Sequence, residues 1–224
     1  MLTLEQIIEP LAGVFGEPPV ASRRTVLELV LLENVAYLVD DEQRWRAFRA
    51  LEAAVGTQPE QILAASDEAL LAVAGHGILA AQQADKLRQI ARLVIDEFGG
   101  SLESIRGLSL AQAKKALMRF PGIGEPGAEK ILLLARSHAV LGLDSNGVRV
   151  LTRLGVVNEA TSYAATYRAV QAAVQPYHGK GFDWLSRAQH LLRQHGQELC
   201  RRTQPRCDRC PLNDRCAYYA AASV

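Results

Sequence analysis

No cysteine occurs before Cys200 in this 224-residue chain. That excludes a disulfide framework spread along the fold and a core with scattered thiols. No stretch is apolar for long enough to span a membrane. A basic leader segment is missing too. The N-terminus carries Glu5 and Glu9 instead, so no signal peptide is expected. Strand-type alternation is absent at any useful length. Aromatic residues make up only 6% of the chain while Ala and Leu are plentiful, which favours helices. There is no charge excess, since the formal net charge is +1, so bulk charge alone does not demand a polyanion. What remains is an all-α chain, hydrophobic enough at 49% to build a real core in one large domain or two small ones. It is expected in the cytoplasm, where thiols stay reduced.

What is present is helix punctuation. Thr3-Leu-Glu-Gln6 is a capping box that opens a first helix. Pro10 is expected to kink that helix, and Gly16 to Pro19 to break it. From Thr25 the run VLELVLLENVAYLV is too apolar for a surface helix and is expected to be the buried central one. Asp41 begins a charged helix with Trp45, Phe48 and Leu51 at core spacing. Thr57 and Ser66 open two short helices, and Gly75-His76-Gly77 is a turn. The next helix runs to Phe98 and stops at Gly99-Gly100. Ser109-Leu-Ala-Gln112 caps another that should reach about Phe120. Further helices are expected up to Leu154 and near 163–174 and 183–194.

The late cysteines are concentrated. Cys200, Cys207, Cys210 and Cys216 read C-x6-C-x2-C-x5-C. Four thiolates in one loop can hold zinc or an iron–sulfur cluster. Structural zinc usually takes two close C-x2-C pairs and this loop has one, so the spacing favours iron and sulfur. The surroundings are basic. From Arg187 to Cys216 there are seven arginines, Arg193, Arg201, Arg202 and Arg206 among them, against three acidic residues. That is a phosphate-facing patch or a solvated loop.

Upstream, Phe120 to Lys130 read FPGIGEPGAEK. Pro121-Gly122-Ile123-Gly124 cannot continue a helix, and Pro126 suits the first turn of a new one. The result is helix, tight glycine turn, helix. Glycines allow a ligand close to the backbone, and the new helix offers free N–H groups at its positive end. Those are the requirements of a phosphate-binding hairpin, and an ordinary turn between two core helices has the same pattern. Asp144 follows in GLDSNGVRVLTRLG, where it is also well placed to cap a helix.

Hairpin, aspartate and four-cysteine loop, in this order and spacing, resemble the helix-hairpin-helix (HhH-GPD) DNA glycosylases of the endonuclease III type. The resemblance covers about residues 25–216. PGIG is similar to the family's L-P-G-V-G, and Asp144-Ser-Asn-Gly-Val-Arg-Val to its D-T-H-V-x-R-V. His195-Gly196, Cys200 and Pro205-Arg206-Cys207 look like its cluster loop. The resemblance implies a two-domain all-α fold. Residues 25–140 would form the helical domain with the hairpin, and 1–24 plus 141–224 the cluster domain, with DNA against the groove between them. It implies a [4Fe-4S] cluster on Cys200, Cys207, Cys210 and Cys216. It also implies a monomer that binds double-stranded DNA with damaged or abasic sites and no membrane. DNA contacts would come from Gly122, Ile123, Gly124, Gly127, Arg201, Arg202 and Arg206. Asp144 would be the catalytic carboxylate.

The chain departs from the family at three places. Bifunctional members carry a nucleophilic lysine two residues after the second hairpin glycine, and Pro126 stands there. Lys130, Lys114 and Lys115 are the nearest substitutes, each reading first as a surface lysine. No glutamine lies on the first buried helix to fill the gap left by a flipped base; Asn34, Val35 or Tyr37 stands nearby. Asn146 replaces the histidine and cannot titrate as one would. Candidate pocket groups are Glu33, Asn34, Tyr37, Gln82 and His138, with His76 and Gln83 behind them. The expectation is a monofunctional glycosylase assisted by Asp144, with lyase activity weak or absent. A catalytically weak DNA or abasic-site binder is the alternative from another class, and a lyase with a displaced lysine the third.

Overall fold

Side-chain caps set most of the helix starts. In the computed structural model, which describes residues 2–18 and 23–222, Thr3 opens α1 (Leu4–Phe15) with a reciprocal capping box to Gln6. Pro10 lies inside α1, and Gly16 ends it. Pro19 lies outside the described residues. Thr25 and Glu28 box the start of α2 (Val26–Asn34). α2 is apolar on nearly every side: Val26, Val30 and Leu31 are fully buried, and it packs on α3, α6 and α8 as those elements come in.

The apolar run continues past Asn34 but the helix does not. The Tyr37 carbonyl accepts instead from the Ile78 N–H at 3.2 Å, and Leu38 turns into the left-handed region at φ 52°. α3 (Asp41–Ala54) begins at Asp41 as expected and is capped by Asp40, with Phe48 and Leu51 buried. Trp45, expected in the core, is half-buried beside the Arg24 guanidinium. α4 (Pro59–Ala64) is boxed by Gln58 and Gln61, not by Thr57, because Pro59 is already helical. Ser66 caps α5 (Asp67–Ala74), and α6 (Ala80–Phe98) ends at Gly99. A 3-10 turn, Glu103–Gly107, leads to α7 (Leu110–Leu117) with its Ser109–Gln112 box, then to α8 (Glu125–Leu134). α7 stops at Leu117, short of Phe120, because the Phe120 N–H turns back to the Leu117 carbonyl at 3.1 Å.

The remaining helices are α9 (Ser145–Arg153), α10 (Tyr163–Val174), α11 (Phe182–Glu198) and α12 (Ala217–Ala222). Among the described residues the only β pairing recorded outside helices and turns is the isolated Tyr37–Ile78 bridge, so the fold is all-α. No helix among them is long and apolar enough to cross a membrane.

The chain forms two compact units, Arg23–Ser137 and Met1–Ser22 with His138–Val224. In the first, α6 carries α4 and α5 on its flank and α8 packs on α2 and α7. In the second, α11 is the spine: Leu185, Leu191 and Leu192 are fully buried, with α9 and α1 against it. Burying each such leucine is worth roughly 2 kcal/mol. Arg187 of α11 ties α1 further, donating to Glu9 at 2.8 Å and to Glu17 at 2.7 Å.

Candidate functional site

In the unit Arg23–Ser137, the hairpin joins α7 to α8. Gly122 has φ +73°, a conformation L side chains rarely adopt, and a Cβ there would meet Asn34 Oδ1 at 3.0 Å. Asn34 is 4% exposed, and its amide donates to the Val30 carbonyl at 3.1 Å. It therefore supports the turn from behind. Ile123 is buried, so its part in the hairpin is packing. Gly124 is the N-cap of α8 and lies open, and Gly127 follows in the first turn. The first N–H groups of α8 have no partner within the helix, and Pro126 contributes none.

Two of the three lysines near the hairpin are paired with carboxylates. Lys114 Nζ donates to Glu125 at 2.5 Å and to Glu129 at 2.6 Å. Burial works against its charge, but the two carboxylates outweigh burial and hold the ammonium beyond its ordinary range. Lys130 is paired with Glu33 at 2.6 Å, and both side chains are largely covered. Lys115 is exposed.

The same unit carries a feature of which the sequence singled out Tyr37 alone. Leu38 is 72% exposed and Leu79 49%, both with left-handed φ, beside Tyr37 at 43% and Ile78 at 52%. The Tyr37–Ile78 bridge joins the two loops. Gly77 packs so closely that a Cβ would lie 2.8 Å from the Tyr37 backbone. The four side chains form one apolar tip, with the Lys86 ammonium 5.8 Å from the Tyr37 ring. Gln82 and His76 are exposed, and Gln83 is buried. Of the pocket candidates, Glu33, Asn34, Tyr37 and Gln82 lie in this unit and half-buried His138 in the other.

In the second unit Asp144 caps α9. Its Oδ1 accepts from the N–H groups of Asn146 and Gly147, each at 2.9 Å. Its Oδ2 accepts from Asn146 Nδ2 at 3.0 Å and from Arg193 Nη1. A groove beside this helix start is lined by Ser145, Arg149, Arg153, Ser162, Tyr163 and Arg202. Burial pushes the Tyr163 phenol up, and the Asp144 charge adds to the effect.

The cysteine loop is tied to the same helix. Arg149 donates to the Cys200 carbonyl at 2.9 Å and the Gly196 carbonyl at 2.8 Å. Arg153 donates to the Arg201 carbonyl at 2.7 Å and the Arg202 carbonyl at 3.2 Å. It also stacks on Tyr218 at 4.3 Å. Arg201, Arg202 and Arg206 thereby expose their own side chains. Arg187 and Arg193, counted with them in the basic patch, are instead held by carboxylates of their own unit.

Cys200, Cys207, Cys210 and Cys216 are half-buried free thiols lining one pocket. Burial pushes the Cys207 thiol up and the Cys210 thiol up to about 11, so each keeps its proton unless a cation replaces it. Among the described residues no three His, Cys, Asp or Glu side chains converge on a point that would hold a single ion.

No protein-family model matches the chain. Over 161 residues it is 26% identical to endonuclease III of Rickettsia conorii, covering 72% of this chain and 70% of the relative. Over the whole of both chains the fold matches that of endonuclease III in a trapped covalent complex with DNA, at a TM-score of 0.76 and 20% identity. The chain is an endonuclease III-like protein of the HhH-GPD fold. This endonuclease III-like chain is also 25% identical over 172 residues to thymine-DNA glycosylase of Aeropyrum pernix, covering 73% of this chain and 77% of that one.

Proposed function

We propose that this endonuclease III-like chain is a DNA glycosylase of the base-excision repair type. It would hydrolyse the N-glycosidic bond of a damaged nucleotide in duplex DNA and leave the abasic site uncut. The broad activity is supported by the relatives, which include endonuclease III and thymine-DNA glycosylase. The finer reading rests on the hairpin amines. Pro126 stands where bifunctional members carry their lysine, Lys130 is paired with Glu33, and Lys114 is clamped by Glu125 and Glu129. A Schiff base needs a neutral, accessible amine.

Water is then the nucleophile. As the bond from C1′ to the base breaks, its electron pair leaves with the base and positive charge develops on the sugar. The Asp144 carboxylate stabilises that charge, water adds at C1′, and its proton passes to solvent or the departing base. Phosphate contacts come from the hairpin N–H groups and from exposed Arg201, Arg202 and Arg206. The apolar tip of Tyr37, Leu38, Ile78 and Leu79 is the part that enters the base stack, in place of the missing glutamine.

The donor set of the cysteine loop fits an iron–sulfur cluster. It is four free thiols lining one pocket, the ligand number such a cluster takes. Bound there, a [4Fe-4S] cluster would fix the loop through four iron–thiolate bonds. The loop's own part is to present Arg201, Arg202 and Arg206. We place the protein in the cytoplasm, on the nucleoid, as a monomer.

One observation favours the second reading, a non-catalytic abasic-site binder: every acceptor site of Asp144 is already occupied. The deciding experiment screens the purified protein on duplexes bearing uracil, thymine glycol, oxidised purines, alkylated bases, mismatches and abasic sites. At least one base should be released, with strand breaks only after hot alkali and negligible borohydride trapping. Asp144→Asn should abolish release. Efficient trapping lost in Lys130→Ala would overturn the monofunctional reading. Abasic-site binding with no release on any duplex would select the binder.

A further inference from the structure

We propose that Arg193 is the positioning residue of Asp144, and that the carboxylate it completes acts as an immobile negative charge and not as a proton acceptor. The inference rests on the reading of Asp144 as the residue that supports excision.

A carboxylate has about four acceptor sites. Three of those on Asp144 are filled by the helix it caps, through the N–H groups of Asn146 and Gly147 and the Asn146 amide. That set already satisfies the start of α9. The fourth donor, Arg193 Nη1, comes from α11 and adds nothing to capping. The Asn146 amide is itself oriented. Its Oδ1 accepts from Arg149 Nη2 at 2.8 Å, so its NH2 must face Asp144. Arg149 is in turn anchored on the Gly196 and Cys200 carbonyls. Two arginines therefore fix the carboxylate, Arg193 directly and Arg149 through Asn146.

This arrangement leaves no lone pair for a water proton. Taking one would break a charge-assisted hydrogen bond or unseat the cap. Charged and titratable groups facing Asp144 include Arg193 on α11, Arg149 on α9 and Tyr163 on α10. Both arginines stay charged throughout the neutral range, and burial keeps the phenol neutral. None of these three groups changes charge in the neutral range. Arg193 and Asp144 keep 20% and 18% of their side-chain exposure, so the pair still borders solvent, where a substrate can approach.

The test has two arms on the full-length protein, with Arg193→Gln and Arg193→Lys checked for folding by thermal melts. In the first, 13C NMR follows the Asp144 carboxyl through acid pH without DNA. In Arg193→Gln its midpoint should rise by about one to three pH units, and Arg193→Lys should lie between. In the second, single-turnover excision is measured from pH 5 to 9 on the best duplex of the lesion screen. The wild-type rate should be flat through neutrality. Arg193→Gln should be slower by about 10- to 100-fold, with partial rescue by lysine. Affinity for abasic DNA should stay within about twofold in both variants. An unmoved midpoint overturns the proposal, as does excision in Arg193→Gln at or above the wild-type rate. So does a parallel loss of excision and abasic-site affinity, which would make Arg193 a DNA anchor. If the wild type releases no base while the midpoint still moves, the glycosylase reading fails and the catalytic role of Arg193 fails with it. The clamp on Asp144 then stands alone.

Discussion

Replacing Gly122 by alanine tests the hairpin at the one point where its backbone and its support meet. At φ +73° an L residue costs about 1–2 kcal/mol relative to glycine. The new Cβ would also lie 3.0 Å from Asn34 Oδ1. Asn34 is buried and its amide is held by the Val30 carbonyl, so it yields only at a cost. That adds about 1 kcal/mol, the low end for overpacking. Together the loss is about 2–3 kcal/mol, or about 4–12 °C in melting temperature for a chain of this size. Gly124→Ala is the control. Its φ is −93° and the nearest atom to a new Cβ is Pro126 Cδ at 3.8 Å, so it should melt within about 2 °C of wild type. Adding Gly122→Ala to Asn34→Ala should cost about 1 kcal/mol less than adding it to wild type, because the obstructing oxygen is gone. Far-UV circular dichroism melts of the four proteins give the cycle, and binding to an abasic duplex gives its functional side. Equal melting of Gly122→Ala and wild type, or equal losses at the two glycines, would refute the reasoning.

Protein prepared without oxygen should contain about four iron and four sulfide per chain; stoichiometric zinc without iron would sink the cluster. Arg201→Ala with Arg206→Ala should lower the salt slope of DNA binding by about two. Arg187→Ala should leave that slope unchanged, since Glu9 and Glu17 hold this arginine. A change with Arg187 and none with the pair would reverse the assignment. Leu38→Ser with Ile78→Ser removes two side chains that are more than half exposed, so stability should stay within about 0.5 kcal/mol. Excision from duplex should nonetheless fall by at least about tenfold, and an unchanged rate would remove the tip from the mechanism.

Much of the helix layout was legible because capping is local. Thr3, Thr25, Ser66 and Ser109 reveal their helices within four residues of sequence. Asp41 begins its helix as expected, with Asp40 as the cap, whereas Gln58 replaced the expected Thr57 because neighbouring polar residues compete for one capping position. Pairings across the fold were not legible. Arg193 meets a carboxylate 49 residues away and Arg187 one 170 residues away, so both looked available for phosphate. The hairpin lysines are paired over 11 and 15 residues for Lys114, and Lys130 reaches back to Glu33 on another helix. Of the tip only Tyr37 was singled out, because the shape of the rest contradicts propensity. Leucine rarely takes a left-handed φ, and Leu38 and Leu79 do so where the two loops bridge. Asp144 was legible as a helix cap, while its fourth donor, Arg193, emerges only once α11 lies against α9.

The two arginines of α9 have a consequence for the cysteine loop. They hold the carbonyls of Cys200, Arg201 and Arg202, and the N–H of Arg206 returns to the Leu199 carbonyl at 2.9 Å. The loop is thus closed by protein contacts that involve no metal. A finger that folds only around its ion uses most of the binding energy to order the chain. Here the course of the loop is set by main-chain contacts to α9 as well as by whatever the four thiols hold, so removing those arginines should loosen the loop on its own account.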